Sequence, residues 1–128
     1  MKITGSEQMI LNLLWEKEGL SIQQMVDALE ADTGWSRHAI ISFLKKMESK
    51  GTVRYEEQGR TKYYYAVAKK EEVVLETTRN ILDRFFGGKL GAMVSYMAEA
   101  DKLTPEDVQE LHQLLDKLAQ EQNEESGV

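Results

Sequence analysis

Between Trp35 and Tyr63 the chain carries seven basic side chains, Arg37, Lys45, Lys46, Lys50, Arg54, Arg60 and Lys62, against three acidic ones, Glu48, Glu56 and Glu57. At helical spacing Arg37, His38, Ile41, Ser42, Lys45 and Ser49 fall on one face, with Lys46 alongside and Ser36 at its start. Short polar, apolar and long basic groups mixed on one helical face suit a DNA major groove. Arginine or lysine reads guanine edges there, and serine or isoleucine approaches a thymine methyl. Arg60 and Lys62 follow on what reads as a hairpin tip, suited to phosphates or the neighbouring minor groove. The chemistry these residues offer is recognition of duplex DNA. On composition alone an ordinary solvated helix face would look the same.

Other chemistries lack their residues. The 128-residue chain has no cysteine, so disulfides, thiol catalysis and thiolate metal sites are excluded. Its two histidines are His38 and His112, and His112 with Asp116 four residues on makes only half a metal site. No Ser/His/Asp arrangement, phosphate-cradling glycine loop or paired-carboxylate motif is present, so no catalytic residue, metal or cofactor is expected and the chain does not read as an enzyme. No apolar run reaches the ~20 residues of a membrane span, and the opening Met1-Lys2-Ile3-Thr4 has no signal-peptide core, which predicts a cytoplasmic protein without membrane insertion.

A net charge of −6 argues at first against nucleic acid, but the charge is unevenly placed. Residues 1–68 hold nine basic and nine acidic residues, whereas residues 69–128 hold seven and thirteen. A phosphate backbone feels charge within a Debye length of about 8–10 Å, so the local cationic cluster decides.

The elements that must position these residues are legible from caps and periodicity. Thr4-Gly5-Ser6-Glu7 and Ser21-Ile22-Gln23-Gln24 read as capping boxes, each opening a helix with apolar residues on one face. Ser36 caps a third helix whose inner face is Ile40, Phe43, Leu44 and Met47, and Gly51 suits its left-handed end. Thr52–Glu56 and Thr61–Val67 are β-branched and aromatic, with Glu57-Gln58-Gly59-Arg60 as the turn between them. Trp15 and Trp35, at helix boundaries, read as core plugs. Tyr64 should face away from Tyr63 and Tyr65, with one of those faces packed.

From residue 69 the pattern is helical again. Val74, Thr78, Ile81 and Phe85 form one stripe of a helix over 71–86, and Leu75, Leu82 and Phe86 form another, so two surfaces should be met. A short helix over 89–98 should turn Leu90, Met93, Val94 and Met97 inward. Thr104-Pro105 opens a last helix whose Val108, Leu111, Leu115 and Leu118 make a two-heptad seam. The fold class is therefore mainly α with a small β-hairpin wing. It divides into a winged helix-turn-helix domain at 1–68, a helical dimerisation region at 69–122 and a frayed polar tail at 123–128.

In order and spacing these residues resemble one family. Thr4-x-x-Glu7-x-x-Ile10-Leu11-x-x-Leu14-Trp15 is similar to the start of the penicillinase-repressor (BlaI/MecI) transcriptional regulators. Trp35-Ser36-x-x-Ala39-Ile40-x-Ser42-Phe43-Leu44-x-Lys46-Met47-x-x-Lys50-Gly51 resembles their recognition helix, and Gly59-Arg60-x-x-x-Tyr64 resembles their wing. The resemblance implies a homodimer on a pseudo-palindromic operator, with the helix 35–50 in the major groove and the C-terminal helices forming the dimer interface. It also implies a membrane-bound sensor protease, or its product, as partner, with inactivation by cleavage that is typically at an Asn-Phe bond. Ser95-Tyr96 stands at that place in this chain, which puts such cleavage in doubt. The Cys-x-Cys pair of the copper-responsive branch is missing, and Ala39 and Ser42 replace two family threonines.

Two functions are thus expected in order of preference. The first is a dimeric DNA-binding repressor, and the second is a winged-helix protein–protein adaptor that does not touch DNA.

Overall fold

The structure, a computed structural model, describes residues 2–126. Thr4 adopts an extended conformation and its hydroxyl accepts the Glu7 backbone N–H at 3.2 Å, while the Glu7 carboxylate accepts the Thr4 N–H at 3.1 Å. This reciprocal cap satisfies donors that a helix start leaves open, and α1 runs Gly5–Glu16. Ser21 and Gln24 repeat the device for α2, Ile22–Thr33, which ends on Gly34 in the left-handed region. Ser36 caps α3, Arg37–Lys50, and Gly51 at φ 77° ends it.

Two antiparallel strands follow, β1 Val53–Gln58 and β2 Thr61–Ala66, paired from Val53 opposite Ala66 to Gln58 opposite Thr61. The turn is tighter than the sequence suggests. Glu57 and Gln58 belong to β1, and only Gly59 and Arg60 lie between the strands. Gly59, at φ 65°, takes the first central position, where a two-residue II′ turn demands glycine.

A further extended segment was not legible in the sequence. Leu20 bridges Tyr64, with the Tyr64 N–H donating to the Leu20 carbonyl at 2.8 Å and the Leu20 N–H donating back at 3.2 Å. The α1–α2 connection thus anchors the hairpin to the helices.

Ile10, Leu11 and Leu14 of α1, Met25 and Leu29 of α2, and Ile40, Leu44 and Met47 of α3 close on Leu20, Val53 and Tyr64 as one core. Each fully buried aliphatic side chain contributes about 2 kcal/mol. Trp15 and Trp35 pack against this core as expected. The Trp15 indole N–H donates to the Ala68 carbonyl at 2.9 Å, and the Trp35 ring meets Phe43 edge-on at 4.9 Å. Of the three consecutive tyrosines Tyr64 is buried, and Tyr63 and Tyr65 are half-buried.

After the hairpin come α4 Lys70–Phe86, α5 Leu90–Glu99 and α6 Pro105–Ser126. The described residues pack as two compact units that divide between Thr77 and Thr78, so the first turns of α4 go with the N-terminal unit. Thr104 and Asp107 cap α6 reciprocally, each side chain accepting the other's backbone N–H at 3.0 Å.

Two expectations for the later helices need correction. On α4 the buried residues are Val73 and Leu82, a pair that the two sequence stripes do not bring together. On α5 only Met93 and Val94 are half-buried, whereas Leu90 and Met97 are exposed. The i, i+3, i+4, i+7 spacing does put all four on one face, but within the chain only the middle of that face is covered. The segment read as a frayed tail is helical as far as Ser126, and its last residues, Gly127 and Val128, lie outside the described residues.

Candidate nucleic-acid interface

Three elements of the N-terminal unit surround one open cleft of ≈ 770 Å³: the start of α2, the outer face of α3 and strand β2 of the wing. Arg37, Ile41 and Lys45 line it from α3, and Arg60 and Lys62 line it from the hairpin. These five residues are among those singled out in the sequence, and they come from two segments joined only through the fold. Ser36, His38, Ser42 and Lys46 are exposed on α3 but do not line the cleft. The Ser36 hydroxyl already accepts the Ala39 N–H at 3.2 Å as a helix cap, which keeps its O–H and one lone pair for other partners.

The wing side chains are held by aromatic rings. The Lys62 ammonium lies over the Tyr55 ring at 4.3 Å, and Tyr55 packs on Tyr64 at 5.7 Å between centroids. On the opposite face the Arg54 guanidinium lies over Tyr65 at 4.5 Å and pairs with Glu56 at 2.8 Å. Strand alternation produces this division, since Arg54 is the cross-strand partner of Tyr65 and Tyr55 of Tyr64. The Arg54 charge is thereby partly offset, whereas Lys62 stays at the cleft.

Sequence reading missed two cleft residues that matter electrostatically and geometrically. Glu48 is half-buried and places a carboxylate among the four cations. Burial raises the Tyr64 phenol above its ordinary pKa, with the Glu48 charge and then Tyr55 adding to the effect. Gln23, from α2, accepts a hydrogen bond from Arg37 Nη1 at 3.1 Å. Helical periodicity carried a signal for Glu48, which is four residues beyond Leu44 and eleven beyond Arg37. Nothing local signalled the Gln23–Arg37 contact, which spans fourteen residues.

The second proposed surface is also accounted for. On α4 Val74, Ile81 and Phe85 are 47%, 45% and 68% exposed, and on α6 Val108, Leu115 and Leu118 are 54%, 62% and 44% exposed. Leu111 is half-buried and helps Met93, Val94, Met97, Leu103 and Leu114 line a mostly apolar cleft of ≈ 380 Å³. Within the C-terminal unit Ser95 and Tyr96 sit mid-helix on α5 and are exposed, with the Tyr96 ring edge-on to Phe86 at 6.1 Å. His112 and Asp116 approach to 3.7 Å on the surface of α6. Among the described residues no group of three His, Asp or Glu side chains is placed to hold a metal, and no helix is long and apolar enough to cross a membrane.

The family model described as penicillinase repressor matches residues 3–117. The penicillinase repressor of Bacillus licheniformis is 24% identical over 116 residues, 91% of each chain. The methicillin resistance regulatory protein MecI of Staphylococcus aureus is 20% identical over 116 residues, 91% of this chain and 94% of that one. Among solved structures the adhesin competence repressor AdcR of Streptococcus pyogenes overlays with a TM-score of 0.49 at 16% identity, covering 94% of this chain and 80% of that one, a likeness too loose to add weight.

Proposed function

The chain belongs to the penicillinase repressor family, a family of transcriptional repressors and not of enzymes, and from that premise we propose that it represses as a homodimer bound to a two-fold operator. In each protomer α3 enters the major groove, and the Gly59-Arg60 tip of the wing meets the backbone or minor groove beside it. The observation that carries this reading is the shared cleft, in which Arg37, Ile41 and Lys45 of α3 face the same opening as Arg60 and Lys62 of the wing. Such a cleft suits a duplex because its cations can neutralise phosphates while Arg37 and Ile41 reach base edges. Ser36, His38, Ser42 and Lys46 extend the contact along α3 outside the cleft.

The helical region from residue 69 to 122 supplies the dimer contact on this reading. Exposed Val74, Ile81, Phe85, Val108, Leu115 and Leu118 are more apolar surface than an isolated domain tolerates without cost. A dimer has two recognition helices to meet two half-sites, and the winged domain proper ends near residue 68. The cytoplasm is where such a protein meets DNA. A sensor protease that ended repression at Ser95–Tyr96 would act on a bond inside α5, which must first unwind there, and the pair is not Asn-Phe.

Binding to duplex DNA of the chain's own promoter region, followed across a salt series, tests the reading. Several phosphate contacts per protomer require affinity to fall steeply with salt. The adaptor alternative draws on the −6 net charge and on the even balance of acidic and basic residues over 1–68. An adaptor would pass unretained through heparin at low salt, whereas the repressor is retained.

A further inference from the structure

We propose that Gln23 is a specificity-determining positioning residue, holding the Arg37 guanidinium in the orientation that reads a base. The inference rests on the DNA-reading role of α3 proposed above and adds a member of another helix to it. Arg37 Nη1 donates to Gln23 Oε1 at 3.1 Å, and Gln23 Nε2 donates to Asp27 Oδ1 at 2.9 Å. These two partners allow only one orientation of the amide. A carboxylate only accepts and a guanidinium only donates, so the Gln23 oxygen must face Arg37.

Asp27 lies one turn along α2 from Gln23, and the glutamine is thus held along its own helix before it meets α3. Gln23 and Arg37 both line the cleft between α3 and the wing. The contact occupies one Nη1 hydrogen of Arg37 and leaves the rest of its fork for guanine O6 and N7. An arginine already held in one geometry loses less conformational freedom when DNA arrives, and it presents its donors at a defined angle. Gln23 carries no charge, so its effect falls on base selection and not on phosphate attraction.

The test uses the full chain as wild type, Gln23→Leu, Arg37→Ala and the double variant. The probes are a pool of randomised duplexes, the sequence that the wild type selects from it, and a scrambled version of that sequence. Gln23→Leu should lower the selected-to-scrambled affinity ratio about fivefold, the effect of one hydrogen bond, with melting temperature and salt dependence unchanged. Arg37→Ala should lower the ratio at least as much, about tenfold, as loss of a base-reading contact does. In the double variant Gln23→Leu should add nothing, because it has no guanidinium to hold. Asp27→Asn, which frees the amide to turn over, should reproduce part of the Gln23→Leu loss. Losses that add in full, an unchanged ratio in Gln23→Leu or tighter binding by that variant would each overturn the proposal. A wild type that selects no sequence overturns the repressor reading and this proposal together, and it does so before any variant is compared.

Discussion

Lys50 Nζ lies 2.8 Å from Glu7 Oε1 and 3.0 Å from Glu7 Oε2, and the carboxylate it holds is on a residue only 1% exposed. The same carboxylate caps the first turn of α1 through the Thr4 N–H, and the ammonium also donates to the Lys2 carbonyl at 2.9 Å. One ion pair therefore ties the N-terminal segment and α1 to the last turn of α3, the helix proposed to enter DNA. The contact spans forty-three residues, which explains why beforehand Glu7 read only as a helix cap and Lys50 as one more cation of the local cluster.

Removing the cation should cost more than neutralising the acid. Lys50→Ala leaves a buried carboxylate without its counter-charge and should lower the unfolding free energy by about 2 kcal/mol. Glu7→Gln keeps an acceptor for the Thr4 N–H and should cost about 1 kcal/mol. Urea unfolding of both variants measures the difference. Equal losses would mean that the charge of Glu7 needs no partner.

Gly19 should resist substitution for two reasons. Its φ is 77°, and a Cβ built there would lie 3.1 Å from the Tyr65 hydroxyl oxygen. The left-handed backbone alone costs a non-glycine residue roughly 1–2 kcal/mol. Gly19→Ala should therefore lower the melting temperature and also weaken DNA binding, since Gly19 and Leu20 both donate to the Tyr64 carbonyl that seats the wing. Full DNA affinity in a destabilised Gly19→Ala protein would separate wing placement from stability.

Lys45 and Arg60 approach one cleft from two elements. Lys45→Ala combined with Arg60→Ala should weaken binding to selected and scrambled duplexes alike and flatten the salt slope by about two per protomer. Titrations at several salt concentrations give the slope. An unchanged slope would place both cations away from the phosphates.

Alkaline pH should destabilise the N-terminal unit through Tyr64. Burial, then Glu48 and then Tyr55 raise its folded pKa above the unfolded value of 10.0. The folded state thus keeps the proton that the unfolded chain releases. The contribution is intact below about pH 10 and is lost as pH rises from there through the raised folded value. Tyr64→Phe lacks the titrating hydroxyl, so its stability should decline less than that of the wild type between about pH 9 and 11. Thermal melts across that range decide the matter.

The apolar faces of α4 and α6 should hold two copies together. Ile81→Asp or Leu115→Asp places a charge at a site that is solvent-exposed in a single chain, so a monomer should fold normally and only association should suffer. Light scattering should report half the wild-type mass, and affinity for a two-fold operator should fall far more than affinity for a half-site. A wild-type monomer at micromolar concentration would remove the dimer from the proposal.

What the amino-acid order determined by itself is local. Thr4 with Glu7, Ser21 with Gln24, and Ser36 with Gly51 mark helix ends because caps act within three or four residues. The outer face of α3 was equally legible, since a 3.6-residue period sorts Arg37, Ile41 and Lys45 from Ile40, Leu44 and Met47 without any partner. Only the tertiary structure decided that Gln23 meets Arg37, that Leu20 bridges Tyr64, that Lys50 reaches Glu7, and that Val73 and not Val74 is buried. Those contacts depend on where helices and strands pack against one another. Packing is settled by burial over the whole core, which no short window of residues contains.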